Sequence, residues 1–471
     1  MRTVLILILI TTSSVIYCQN INDRITYPDT LWAKNDSFYV KATSWENEWA
    51  FSTTKSDTID LGTDGYKGIK VKVWTDTDTI DIPYVNSPNE QWIFIPIASI
   101  KDTTIYRLRF NSQNSVFTKS YINQNIKTTT FQIPEVYELA NVILYLTECS
   151  EATQNHPMNT EYSKRVNEHF SEFRNHPLIQ ILNSKCLNNN HWTTYYGFRE
   201  NSICFRFDED NFLRYSTPYK HAWSDNSEIH GGEFRNLLYL VQDFVEKTDF
   251  RTFYNFNTDY YETLEKRQAE LQPISKMWKW LENEFPQKYD HYKVIFSPLI
   301  KGSHSTQKFY KGNYKDPDFQ ECIMFVNSSE SIDSNIKYDE YLKVGLSSGV
   351  VFTEIDHNYV NPTSKENIKE IKKLIKEKDK WATKEAQKNY SSEYAIFNEY
   401  MTHSIFCLYI DQNYSGDIKD QIIMKRIQLM KRRGYPKFEE FNSIILVELR
   451  SRNETIYTAY PKLIDALKEI E

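Results

Sequence analysis

Two apolar stretches of this chain each carry an acid and a histidine one helical turn apart, and any fold must find partners for those four side chains. The first is Val350-Val-Phe-Thr-Glu-Ile-Asp-His-Asn-Tyr-Val-Asn-Pro362, where Glu354 and His357 lie three apart; the second is the run Tyr394 to Ile410, where Glu399 and His403 lie four apart. On α-helices both spacings put the pair on one face. A carboxylate and an imidazole set among Val350, Val351 and Tyr359 are costly to bury without a metal, a proton relay or an ion pair. The pattern therefore predicts two helices facing each other across a ligand or a counter-charge, as helix bundles build metal sites. Pro362 is expected to end the first helix.

The chain has 471 residues, long enough for two or three domains, and 40% of them are hydrophobic, which supplies real cores. Glycine is scarce, 12 in all, and neither GxGxxG nor GxxxxGK[ST] occurs, so a glycine-rich phosphate loop is excluded. The net charge is −7 and the basic residues are dispersed, with local runs only at Lys369 to Lys380 and Lys425 to Arg433. Nucleic acid is not an expected partner.

Arg2 followed by the apolar run Val4 to Ile10 and the stretch Thr11 to Cys18 reads as a secretory signal, residues 1–18, cleaved before Gln19. The mature chain is then secreted or periplasmic, at most peripheral to the cell envelope. Its five cysteines, Cys149, Cys186, Cys204, Cys322 and Cys407, include no CxxC, and one or two disulfides are expected without an assignable pairing.

From residue 19 to 133 short alternating runs such as Gly68 to Trp74 and Ile105 to Phe110 predict an all-β accessory region. At Pro134 the period changes from two to 3.6, which places a domain boundary there, with 134–471 as the second domain. Within it, Trp192 to Phe198 and Ser202 to Arg206 are expected to pair as strands around Arg199-Glu-Asn201. Residues 291–300, 306–310 and 320–326 are expected to form a small antiparallel sheet, and the rest to the end is expected to be helical. The fold class is thus α+β.

A zinc hydrolase needs three protein ligands, an open position for water and a carboxylate that takes the water's proton. A helical HExxH supplies two histidines and the base, and a glutamate on a later helix completes the set. Here the five residues are Thr353-Glu-Ile-Asp-His357, with threonine in place of the first histidine, and Glu399 falls where the glutamate ligand would be. Together with Asp249-Phe-Arg-Thr-Phe-Tyr254, Ile295 to Thr306 and Phe397-Asn-Glu-Tyr400, this stretch resembles an uncharacterised family of secreted bacterial proteins with a zincin-like, gluzincin-type domain of unknown function. The likeness covers roughly Pro134 to Arg450. It implies Zn2+, a metallopeptidase activity and a peptide or protein substrate.

Two ligand sets are open for the variant motif. In the first, His304, His357 and Glu399 hold zinc and Glu354 is the general base; in the second, Glu354 joins His357, Glu399 and His403 as a ligand. A plainer account pairs Glu399 with a lysine or arginine and makes His403 a core histidine bonded to a backbone carbonyl. The corresponding function is a non-catalytic, degenerate zincin-like binding protein of the cell envelope. Convergence of Glu354, His357 and Glu399 on an open cleft discriminates between the two.

Overall fold

A computed structural model of the chain describes residues 117–470 apart from short breaks, the longest at 223–233. It also describes Ser115 and the backbone of seven strands between Thr30 and Arg109 that hydrogen-bond into one sheet. The expected leader at 1–18 and much of the expected β-rich unit at 19–133 lie outside the described residues.

From Ser115 onward the chain is α+β, mainly helical, with a four-stranded mixed sheet and a separate two-stranded ladder. The strands are β1 (Thr128–Gln132), β2 (Phe205–Phe207), β3 (Leu213–Tyr215), β4 (His291–Ser297), β5 (Ser305–Asn313) and β6 (Asp316–Asn327). The four-stranded sheet runs β5-β6-β4-β1, with β4 parallel to both β6 and β1, and only the edge strand β5 antiparallel to β6. The expected all-antiparallel sheet is thus corrected. Parallel pairing needs long crossovers, and the helices between β1 and β4 provide one, whereas the short link from β5 to β6 permits only a hairpin. Since β1 pairs with β4, residues 128–132 belong to this sheet, and the change of period at Pro134 marks a helix start inside one packing unit.

Helices cover both faces. On one face α1 (Glu135–Tyr145) sets Tyr137 against Phe325 of β6, with ring centroids 5.5 Å apart, and α2 (His191–Asn201) brings Glu200 to the side chains of Ser305 and Gln307 on β5. The expected strand pair at 192–206 is absent: Thr194, Tyr195, Phe198 and Arg199 are all buried at helical spacing, and this burial outweighs the β preference of their aromatic neighbours. Only the tail of that segment, β2, is extended, and it pairs with β3.

On the other face lie α3 (Ile274–Glu284) and α4 (Glu340–Glu366), the latter touching the sheet through Tyr359, whose hydroxyl is 3.0 Å from that of Tyr292 on β4. Asp339 caps α4 by accepting from the backbone N–H of Leu342 at 2.8 Å. Pro362 lies inside α4 and does not end it. The carbonyl that its missing N–H leaves free is that of Asn358, and this oxygen accepts from the Tyr289 hydroxyl at 3.3 Å, so the lost helical bond is replaced from outside.

Behind α4 sit α5 (Glu393–Asn413), α6 (Gly416–Arg432) and α7 (Phe438–Arg450). Every residue of α5 from Ile396 to Ile410 is buried, so its apolar residues are spread around the whole helix and its polar ones need partners inside the protein. Phe352 of α4 packs on Phe406 and Tyr409 of α5, and Phe441 of α7 on Tyr400. Gly345 and Gly349 let α6 come close to α4, because a Cβ at either would strike Ile422 or Arg426. Cys149 and Cys186 form a disulfide, while Cys204, Cys322 and Cys407 are buried free thiols.

Candidate functional site

The α4–α5 contact brings His357 and Glu399 together, with His357 Nε2 3.6 Å from Glu399 Oε1. That is too long for a hydrogen bond. It is close to the roughly 3.3 Å that separates two ligands of one tetrahedral zinc at ordinary bond lengths. The other ring nitrogen of His357, Nδ1, is 3.2 Å from Asn361 Oδ1, one turn further along α4. Donation of Nδ1–H to that carbonyl leaves the Nε2 lone pair facing Glu399. His357 keeps 26% of its side chain exposed and Glu399 only 3%.

Glu354 lies beside this pair, half-buried, with Thr306 of the edge strand β5 donating to its Oε2 at 3.1 Å. Burial raises its carboxyl above the usual range and the charge of Glu399 adds to that, while His357, Thr306 and Arg433 oppose it. A carboxyl lifted in this way is suited to taking a proton. Thr353, at the position of the first histidine of an HExxH helix, turns its hydroxyl back to the carbonyls of Gly349 and Val350, at 3.2 and 3.0 Å, and offers the site nothing.

The remaining acceptor atoms are engaged by arginines. Arg433 donates from Nη2 to Glu399 Oε2 at 2.7 Å and to the Tyr390 hydroxyl at 3.3 Å, and its Nη1 stands 2.8 Å from His403 Nε2. Its direction is fixed by the end of α6, where Gly434 adopts φ +91 and the N–H of Tyr435 returns to the Met430 carbonyl at 3.0 Å. Arg426, on α6, approaches His403 from the other side, with Nη1 2.9 Å from Nδ1 and its guanidinium 4.3 Å above the Phe406 ring. Burial lowers the Arg426 pKa to about 10.

His403 is pushed well below the usual imidazole range by burial, then by the charges of Arg426, Arg433 and His357. A neutral imidazole accepts at one nitrogen only, so His403 accepts a hydrogen bond from Arg426 or from Arg433 but not from both. It is neither the carbonyl-bonded core histidine of the plainer account nor a free ligand.

His304 lies just before β5 and is half-buried, its Nε2 enclosed without a hydrogen-bond partner and its pKa lowered by burial to about 4. It does not join His357 and Glu399: among the described residues no three His, Cys, Asp or Glu side chains converge as a metal ion would require. The first ligand set, with His304, is therefore not assembled, and the second loses His403 to the arginines. A cation placed between His357 and Glu399 would find two protein donors, and a guanidinium already bonded to one of them. The residues present do not fit a resident zinc.

Three participants escaped the sequence reading. Arg426 and Arg433 were visible only as part of a basic run, although they lie two helical turns apart and share a face. Asp356, fully buried on α4 with neither oxygen hydrogen-bonded, was passed over between Glu354 and His357. Burial holds its carboxyl well above the usual range; the charges of Glu354 and Glu399 add to the shift and that of Arg426 opposes it. The thiol of Cys407, on the same helix as His403, is raised to about 12 by burial and is inert.

No family model, curated protein or solved structure matches the chain.

Proposed function

We propose that the chain is an exported binding protein of the cell envelope, built on a degenerate zincin-like plan, whose ligand is a peptide or protein. The observation that carries this reading is the ion pair of Arg433 with Glu399: the glutamate expected to hold zinc is satisfied by a side chain of the protein itself. Thr353 supports it, since the missing histidine has no replacement among the described residues. Export is supported by the Cys149–Cys186 disulfide, a bond typical of oxidising compartments, and by the leader read at 1–18.

A second reading, a secreted zinc metallopeptidase of gluzincin type with Glu354 as base and His357 and Glu399 as ligands, has the 3.6 Å His357–Glu399 approach in its favour. One experiment separates the two. The mature protein from Gln19 is incubated with zinc, desalted and analysed by plasma mass spectrometry beside His357→Ala and Glu399→Ala. The binding reading expects no stoichiometric zinc in any of the three. About one zinc per chain in the wild type, lost in both variants, overturns it in favour of the hydrolase.

A further inference from the structure

We infer that the outer face of α6, with the adjoining edge of α7, is the surface through which two copies of this chain pair, α6 lying antiparallel to its counterpart across a two-fold axis. This face is turned away from Arg426 and is separate from the Glu399–His357 centre, so the pairing stands apart from whatever that centre binds.

Ile422, Arg426 and Met430 form the buried side of α6. On the other side Asp420, Met424, Ile427 and Lys431 follow one another at intervals of four, three and four, the spacing of the seam between two paired helices. Met424 is 56% exposed, where a methionine on a helix with no partner would be expected to cover itself. A groove of about 410 Å3 is lined by these four residues together with Ile423, and by Glu439 of α7. Helix α7 runs antiparallel to α6: Asp411 pairs with Lys419 near the start of α6 at 3.3 Å and with Arg450 at the end of α7 at 2.8 Å, while Lys431 near the end of α6 pairs with Glu439 at the start of α7. That register sets Val447, 59% exposed, level with Ile423 and widens the apolar middle of the face.

The order of side chains along the seam selects the partner, because read in reverse it is its own complement. A two-fold axis crossing α6 midway between Lys425 and Arg426 sets Asp420 opposite the partner's Lys431 and Met424 opposite the partner's Ile427, each twice. The acid and the base lie three helical turns apart, about 16 Å, so opposite charges meet at both ends while the apolar pairs close the middle. Self-complementarity of this kind is what an isologous contact requires. Parallel pairing would instead set Asp420 on Asp420 and Lys431 on Lys431, and like charges facing each other reject it. The bond to Glu439 already holds Lys431 in place, so less side-chain freedom is lost when the partner's Asp420 arrives.

The test is sedimentation equilibrium of the full mature chain as wild type, Met424→Glu, Asp420→Lys, Lys431→Glu, and Asp420→Lys combined with Lys431→Glu. The wild type is expected to reach twice the chain mass by about 100 μM. Met424→Glu drives two carboxylates into the apolar middle and should weaken pairing at least about a hundredfold. Each single reversal sets like charges together at both ends and should weaken it about tenfold, while the double variant restores opposite charges and should return to within about threefold of the wild type. Melting temperature should rise with protein concentration in the wild type and not in Met424→Glu, which separates failure to pair from failure to fold. A wild type that stays monomeric at every concentration, whether or not it takes up another protein, overturns the inference, as does a dimer that Met424→Glu leaves intact. A double variant no better than the single reversals overturns the antiparallel pairing.

Discussion

Glu138, on α1, is fully buried, accepts from the Tyr162 hydroxyl at 2.8 Å and has burial as the dominant influence on its carboxyl, which is raised from 4.5 to about 7. The hydroxyls of Ser297 and Tyr162 offset part of that shift. In the unfolded chain the group ionises near 4.5, so folding is unaffected by it at lower pH. As pH rises from there the unfolded state gives up its proton first, and stability falls until the folded state also ionises, near 7, after which the deficit is constant. At about 1.36 kcal/mol per unit, the shift amounts to about 3 kcal/mol. Glu138→Gln keeps the shape and cannot ionise. Urea unfolding followed by tryptophan fluorescence, run on both proteins from pH 4 to 9, should give nearly equal midpoints at the acid end. Above pH 7 the variant should be the more stable by about 3 kcal/mol. A difference between the two proteins that does not change with pH would refute the assignment of a neutral carboxyl at this position.

Gly349→Ala places a methyl group against the guanidinium of Arg426 and the ring of Phe406, and should destabilise the protein by about 1–3 kcal/mol, read as a lower melting temperature; an unchanged melt would mean that α4 and α6 are not in contact there. Cys149→Ser, or reduction of the wild type, should cost about 2–5 kcal/mol, because the bridge ties together segments that the unfolded chain lets drift apart. Mass mapping of a non-reduced digest that finds Cys149 joined to another cysteine, or free, would contradict the pairing.

The pairing of α4 with α5 was legible because spacing on a helix is a strong geometric constraint, and three or four residues leave little freedom in where Glu354, His357, Glu399 and His403 point. The partners of those groups were not legible. Arg433 reaches Glu399 from the cap of a different helix, and nothing local in Lys425 to Arg433 separates it from its solvated neighbours. What the sequence did carry was the general demand that a carboxylate in an apolar helix have a counter-charge, met here by a guanidinium. Pro362 misled for a related reason: a helix ends at proline when nothing replaces the missing hydrogen bond, and the replacement, Tyr289, lies far away in sequence. The strand directions in the four-stranded sheet depended on crossover length, which local alternation does not report.

Helix α4 is keyed lengthwise at two separate points. Near one end Gly345 and Gly349 receive Ile422 and Arg426, and near the other the Asn358 carbonyl is bolted to Tyr289. Sliding the helix along its axis by one turn, about 5.4 Å, would drive side chains into the α6 contact and draw the carbonyl away from its tyrosine at the same time. The height of His357 relative to Glu399 is therefore set by fittings on either side of it. Substitutions at the centre itself can change its charge and its occupant while leaving the two helices in register.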